Sequence, residues 1–233
     1  MKLDILALAS HPDDAELACS GTLLAHIALG KKVGIVDLTR GELGTRGTPE
    51  TRAQEAAEAS KILGISVREN LGLADGFFQN DEKSLLEIVK AIRKYQPEIV
   101  LANAIDDRHP DHGMGGAVAT RACFLAGLVK IETGQTPWRP KNVYHYIQDR
   151  MLKPDFVFDI TPYWEKKINS IKAYKSQFFD PNSKEPASYI STAEFIQFVE
   201  ARALEFGHAI GVKYGEGFTR EKQIGVKNLF ELI

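Results

Sequence analysis

The tripeptide His-Pro-Asp occurs twice in this chain, within SHPDDAEL at residues 10–17 and within DDRHPDHG at residues 106–113. Each copy directly follows an apolar run, residues 3–9 in the first case and 99–102 in the second. A short apolar run of this kind reads as a buried strand. Proline suits the first turn of a helix because no N–H is needed there, and the carboxylates that follow complement the positive helix end. Each tripeptide therefore marks a strand-to-helix junction. A capped helix start explains one copy alone, but the same histidine and acids at two junctions indicate chemistry at the carboxyl ends of two strands.

The rest of the chain places those junctions. Strand-like and helix-like segments alternate, which predicts an α/β fold, a Rossmann-like and mainly parallel sheet flanked by helices. After the first strand, residues 16–29 read as a helix closed by Gly30. KVGIVDLT is a second strand, residues 41–49 are a Gly/Thr loop, and residues 50–63 are a helix ended by Gly64. VRENLGLADG supplies a third strand and its exit turn, residues 84–95 a helix, PEIVLANAID a fourth strand, and residues 113–131 a further helix. Beyond Gly134 the pattern loosens into strands near 143–147 and 156–160 and helices over 162–179 and 192–207. Parallel strands one and four can place their carboxyl ends side by side, where open α/β sheets keep their ligands. No linker, repeat or low-complexity tract divides residues 1–233, so one domain is expected.

Composition narrows the function classes. A chain with 44% hydrophobic and 26% charged residues is an ordinary globular one that can bury a full core. A formal net charge of −2 without a Lys/Arg run gives no footprint for nucleic acid and no patch for an anionic membrane. The two cysteines, Cys19 and Cys123, lack the spacing of a disulfide scaffold or a thiolate zinc site. No apolar segment approaches the ~18 residues of a membrane span. A cytoplasmic enzyme acting on a small molecule is the expectation. A dinucleotide-binding oxidoreductase is disfavoured, because the turn after strand one has no G-x-G-x-x-G and presents acids where a pyrophosphate needs bare N–H groups.

The residues at the two junctions suit a metal. His11 and Asp14 are three apart at a helix start, and His109 and His112 repeat that spacing. Two histidines and one carboxylate are a ligand set for a hydrolytic Zn²⁺ that lowers the pKa of a bound water to about 7. Fe²⁺ takes the same set. Asp13 is placed to take the proton of an attacking water, and the remaining histidine, oriented by Asp111, to face a developing oxyanion. His26, His145 and His208 read as structural.

These motifs resemble those of the zinc-dependent LmbE/PIG-L family of N-acetylglucosaminyl deacetylases, and within it the bacillithiol-pathway branch. The family motif A-H-P-D-D-E stands here as SHPDDAE, and H-P-D-H is intact. The strings TRGELGTRGTPETRAQEA, LGLADG and GVKYGEGF extend the likeness over nearly the whole chain. The resemblance implies His11, Asp14 and His112 as zinc ligands, Asp13 as general base, and His109, beside Asp111, as electrophilic stabiliser and proton donor. It further implies that Arg139 pairs with Asp13 and that Arg52 and Asp75 hold sugar hydroxyls. N-acetylglucosaminyl malate is the substrate the branch points to, with Arg46 a candidate for its carboxylates. Tyr189 is a candidate for reaching the oxyanion from a loop. The branch also implies a homo-oligomer, with a hexamer as one form. A non-catalytic sugar-binding protein is disfavoured, since every group needed to activate water is present.

Overall fold

The computed structural model describes residues 1–233, the side chain of Glu231 excepted. A seven-stranded sheet forms its centre, in the order β3-β2-β1-β4-β5-β7-β6. The strands are β1 (Ile5–Ala9), β2 (Val33–Thr39), β3 (Val67–Leu73), β4 (Ile99–Ala102), β5 (Asn142–Tyr146), β6 (Phe156–Asp159) and β7 (Gly215–Arg220). The first five run parallel and β7 runs antiparallel to both β5 and β6.

The helices are α1 (Asp14–Ala18), α2 (Ser20–Ala28), α3 (Pro49–Leu63), α4 (Glu82–Tyr95), α5 (Pro110–Ala126), α6 (Trp164–Lys172) and α7 (Ala193–Ala209). All five residues of β1 and all seven of β2 are buried, as expected of parallel strands covered on both faces. Period-2 alternation divides their side chains. Leu6, Leu8, Val36 and Leu38 face α4 and α5, while Ile5, Ala7, Ala9, Val33 and Ile35 pack with Leu23 and Leu24 of α2.

Chain order places the junctions together. The connection from β1 leads to β2 on one side, whereas β4 lies on the other side of β1, paired Ile5 with Ile99 and Ala7 with Leu101. The crevice outside the carboxyl ends of β1 and β4 is thus the switch point at which α/β sheets bind ligands.

Three local expectations are corrected. The helix expected over 16–29 breaks at Cys19, which leaves helical geometry with φ −135°. The second piece starts afresh because the N–H groups of Gly21 and Thr22 donate to the carboxylate of Glu216 at 2.9 and 2.7 Å, which serves as its cap from β7. The helix expected over 162–179 ends at Lys172, after a 3₁₀ turn at Thr161–Tyr163. Strand β7 has no counterpart in the sequence signals, since the glycines of GEGFTR weaken a strand pattern. Those glycines answer packing by α7: a Cβ on Gly217 would lie 2.8 Å from the Phe206 ring, and one on Gly215 would lie 2.8 Å from the Gly207 nitrogen.

Candidate active site and metal centre

The chain leaving β1 turns at once. Asp13 adopts φ +112°, left-handed backbone that costs a non-glycine residue free energy and that Asp and Asn tolerate best. This turn brings His11, Asp13 and Asp14, all buried, into a cavity of about 420 Å³ that His109 and His112 enter from the start of α5. His109 is the N-cap of α5, and its Nδ1 accepts from the Asp111 N–H at 3.3 Å.

Asp14 lies between two imidazoles. Its Oδ2 is 3.5 Å from His11 Nδ1 and its Oδ1 is 3.0 Å from His112 Nε2. Each oxygen is also held from behind. Asn103 Nδ2 donates to Oδ2 and Gln148 Nε2 to Oδ1, both at 3.0 Å, and the His11 N–H adds a third bond at 3.0 Å. Ring nitrogens of His11, His109 and His112 can all lie within 4.8 Å of one another. His11 Nε2 meets a second group of acids, Asp75 Oδ1 at 3.0 Å and Asp111 Oδ2 at 3.3 Å.

Electrostatics explain why these groups are together. Burial alone would push the Asp14 carboxyl up and the imidazoles down, yet Asp14 is held well below the usual carboxylate range by His112 and His11. His112 is lifted to about 9 against its burial by Asp14 and Asp107, and His11 is also raised, by Asp111, Asp14 and Asp75. The carboxylates of this pocket therefore favour positive charge where the imidazoles stand. A divalent cation in place of those protons answers the same demand, so the donor set fits a metal of the kind the His/Asp/His pattern suggests.

Asp13 lies in a different environment. Burial raises its carboxyl to about 7, and Arg52 opposes that rise with Nη2 2.8 Å from Oδ2. Arg52 Nη2 also donates to the Pro12 carbonyl at 2.5 Å. His109 moves the other way, since burial and then the charges on His11 and His112 lower its pKa. With Nδ1 accepting from the Asp111 N–H, a neutral His109 carries its proton on Nε2.

Several sequence expectations are corrected here. Arg139 does not pair with Asp13: it is exposed, its guanidinium covers the Phe124 ring at 4.3 Å, and its Nη2 donates to the Phe124 carbonyl at 2.9 Å. Arg52, from α3, takes that place. Arg52 is accordingly buried and not part of a solvated helix face. Asp111 does not orient His109 through its carboxylate, whose Oδ2 accepts from the Gly76 N–H at 2.8 Å and contacts His11. Asp75 lines the cavity, but its oxygens are taken by His11 and the Leu43 N–H, and these contacts hold it down at about 2 against its burial. Arg46 lines the cavity with Nη2 on Ser183 Oγ at 2.6 Å and Nε facing Glu185 at 3.4 Å. Tyr189 lines it too, half exposed, and its hydroxyl donates to Asp149 Oδ1 at 3.0 Å. Glu16, the last acid of the first motif, faces away from this chemistry and pairs with Arg68 at 2.6 Å.

Three participants carry no clear mark in the sequence. Asn103 and Gln148 come from the ends of β4 and β5 and have no spacing signal. Asp107 meets His112 Nδ1 at 2.5 Å, and its other oxygen accepts from the N–H groups of Asp149 and Arg150 at 2.9 and 2.7 Å. Its place five residues before His112, in DDRHPDH, is the available signal. A carboxylate behind a metal-binding imidazole fixes ring orientation and raises basicity. Asp107→Ala is expected to weaken metal affinity by about 10- to 100-fold, read by chelator competition, and an unchanged affinity would count against His112 as a ligand.

The corrected partner of Asp13 gives a contrast. Arg52→Ala removes the larger of the two positive charges opposing burial of the Asp13 carboxyl, His11 being the other, so the acid limb of kcat/KM moves to higher pH and turnover at neutral pH drops about 10- to 150-fold. Arg139→Ala, in the exposed stretch before β5 that packs against Phe124 of α5, leaves the pH profile where it was. A shifted profile in the Arg139 variant, with none in the Arg52 variant, would restore the pairing of Arg139 with Asp13.

The geometry agrees with what the chain resembles at large. The profile of the GlcNAc-PI de-N-acetylase family, PIG-L, matches residues 6–123, just over half of the chain and both His-Pro-Asp segments. The chain belongs to the PIG-L family. A conserved protein, TT1542, from Thermus thermophilus superposes with TM-score 0.89 at 36% identity, covering 97% of this chain and 98% of that one. Among proteins of assigned activity, a diacetylchitobiose deacetylase of Thermococcus kodakarensis is 27% identical over 91% of this chain and 81% of its own length. A 4-oxalmesaconate hydratase of Pseudomonas putida is 26% identical over 74% and 73%. A probable N-acetyl-alpha-D-glucosaminyl L-malate deacetylase 2 of Bacillus anthracis is 26% identical over 75% and 81%. No helix among the described residues is long and apolar enough to cross a membrane.

Proposed function

We propose that this protein is a metal-dependent hydrolase that removes the acetyl group from an N-acetylglucosamine derivative, with N-acetylglucosaminyl malate, in bacillithiol biosynthesis, as its substrate. The observation that carries the reading is the position of Asp13, a buried carboxylate held by Arg52 directly beside the His11, Asp14 and His112 cluster. His11, Asp14 and His112 would hold Zn²⁺, with Fe²⁺ suited to the same donors. When bound, the metal polarises the amide carbonyl and lowers the pKa of water.

The chain's own groups do the rest. Asp13 accepts the proton of the attacking water, and its burial lifts its basicity toward neutrality, where a general base works best. His109 presents Nε2–H from the start of α5 to the oxyanion that develops on the carbonyl oxygen. The departing amine then takes up the proton that the Asp13 carboxylate accepted from the water. The Gly/Thr loop residues Leu43, Gly44, Thr45 and Arg46 and the side chains of Asp75 and Tyr189 line the cavity around these groups, where a pyranose would lie.

The relative from Bacillus anthracis supports the malyl sugar, and the diacetylchitobiose deacetylase supports the reaction type. The test is acetate release by the metal-loaded protein from the malyl sugar, diacetylchitobiose and an acyclic acetamide. Selective release from the malyl sugar is expected. Equal kcat/KM for the malyl sugar and the acyclic acetamide would remove the substrate assignment, and no acetate from any of them would remove the deacetylase reading.

A further inference from the structure

The arginines held inside this protein are nearly all spoken for. Arg52 meets Asp13, Arg68 meets Asp37 and Glu16, and Arg93 donates to three backbone carbonyls and the Thr133 hydroxyl. Arg46 has Ser183 and Glu185. Arg202, on α7, differs. It is 8% exposed and lines the catalytic cavity, yet its guanidinium makes a single hydrogen bond among the described residues, from Nη2 to the Leu17 carbonyl at 3.3 Å. No carboxylate of the described residues forms an ion pair with it, although the charges of Asp149, Asp107 and Glu216 favour its cation from farther off, and the Phe198 ring lies 5.6 Å from its central carbon. Five N–H donors with one acceptor leave most of its donors without a protein partner among the described residues.

Asp149, an acid of the same cavity whose charge favours the Arg202 cation, is committed elsewhere. Asp149 Oδ2 accepts from Arg108 Nε at 2.7 Å, and Asp149 Oδ1 accepts from the Tyr189 hydroxyl at 3.0 Å. Asp107 and Glu216, whose charges also reach Arg202, are committed to His112 and Lys167, so no carboxylate of the described residues closes on this guanidinium. Burial also depresses the Arg202 pKa, the physical sign of a guanidinium that has lost water without gaining a full partner.

We propose that Arg202 is the anion-binding residue of the substrate site and receives a carboxylate carried by the aglycone of the N-acetyl sugar. The planar guanidinium offers two parallel N–H groups to such a carboxylate. The proposal rests on the deacetylase reading and moves the carboxylate contact away from Arg46, whose donors Ser183 and Glu185 already occupy.

The test compares wild type with Arg202→Ala, Arg202→Gln and Arg202→Lys, all metal-loaded. The ratio of kcat/KM for N-acetylglucosaminyl malate to that for methyl N-acetylglucosaminide is expected to fall about 10- to 150-fold in the Ala and Gln variants, mainly through KM, and to recover in part with Lys. The Gln variant keeps a donor for the Leu17 carbonyl and carries the comparison if the Ala variant has a lowered Tm. In parallel, calorimetry with L-malate alone, and with inorganic phosphate alone, reads the anion site without turnover. Wild type should bind malate at least tenfold more tightly than Arg202→Gln. An unchanged substrate ratio with unchanged malate binding overturns the proposal, and preference for phosphate over malate through Arg202 overturns the carboxylate assignment. If wild type releases no acetate from either sugar the deacetylase reading fails, while the malate titration still decides whether Arg202 binds carboxylates.

Discussion

Asp13→Asn is expected to lower kcat by about 10²- to 10⁴-fold while metal content and substrate binding stay near native, the range for loss of a general base. Asparagine keeps the shape of the side chain and tolerates the left-handed backbone at φ +112°, so the turn that aims the motif survives. What disappears is a proton acceptor whose carboxyl is raised to about 7 by burial and restrained by Arg52. The sign of the pH dependence follows. In the native protein the base is lost as pH falls through its pKa, so kcat/KM declines on the acid side, and a neighbouring cation moves that limb to lower pH because it favours the carboxylate. The variant should lack this limb. Near-native turnover of Asp13→Asn at neutral pH would assign the base elsewhere; His109→Ala should show a loss of the same order through the oxyanion.

The second large effect is on the metal itself. His11→Ala, Asp14→Ala and His112→Ala should each strip bound metal and activity together, since three ligands leave no redundancy. Asp14→Ala should also lower Tm, because it strands the Asn103 and Gln148 amides that now donate to Asp14, at about 1–3 kcal/mol for each buried donor left unpaired. His11→Ala and His112→Ala act differently. They remove positive charge from a carboxylate-rich pocket, so their metal loss should come with a shift of the neighbouring acids to higher pKa. Elemental analysis of the purified variants decides the point: full occupancy in all three would mean that the metal, if any, sits elsewhere.

Much of this architecture was legible in order along the chain. The apolar runs of β1, β2 and β4 and the glycine and proline punctuation between them are local signals, and they placed the first five strands and the parallel crossovers in sequence. Strand β7 was not legible, because GEGFTR owes its glycines to α7 crossing over them and not to any local preference. The break at Cys19 was equally silent, since the group that caps the second helix, Glu216, is 195 residues from Gly21. The site divides in the same way. His11, Asp13, Asp14, His109 and His112 announce themselves by repetition at two strand ends. The choice of Arg52 over Arg139 as partner to Asp13 has no local trace, because it depends on where α3 passes relative to the first turn.

The sequence by itself thus determined the fold class, the two strand ends at which chemistry gathers and the donor types found there, since strand, turn and helix-start preferences act over a few residues. The tertiary structure alone decided which side chains from distant segments complete each charge: Arg52 on Asp13, Asn103 and Gln148 on Asp14, and, among the described residues, no carboxylate on Arg202. The physical reason is that a buried charge is stabilised or stranded by whatever lies within a few ångströms in space, and between parallel strands joined by crossovers those neighbours come from positions tens to hundreds of residues away.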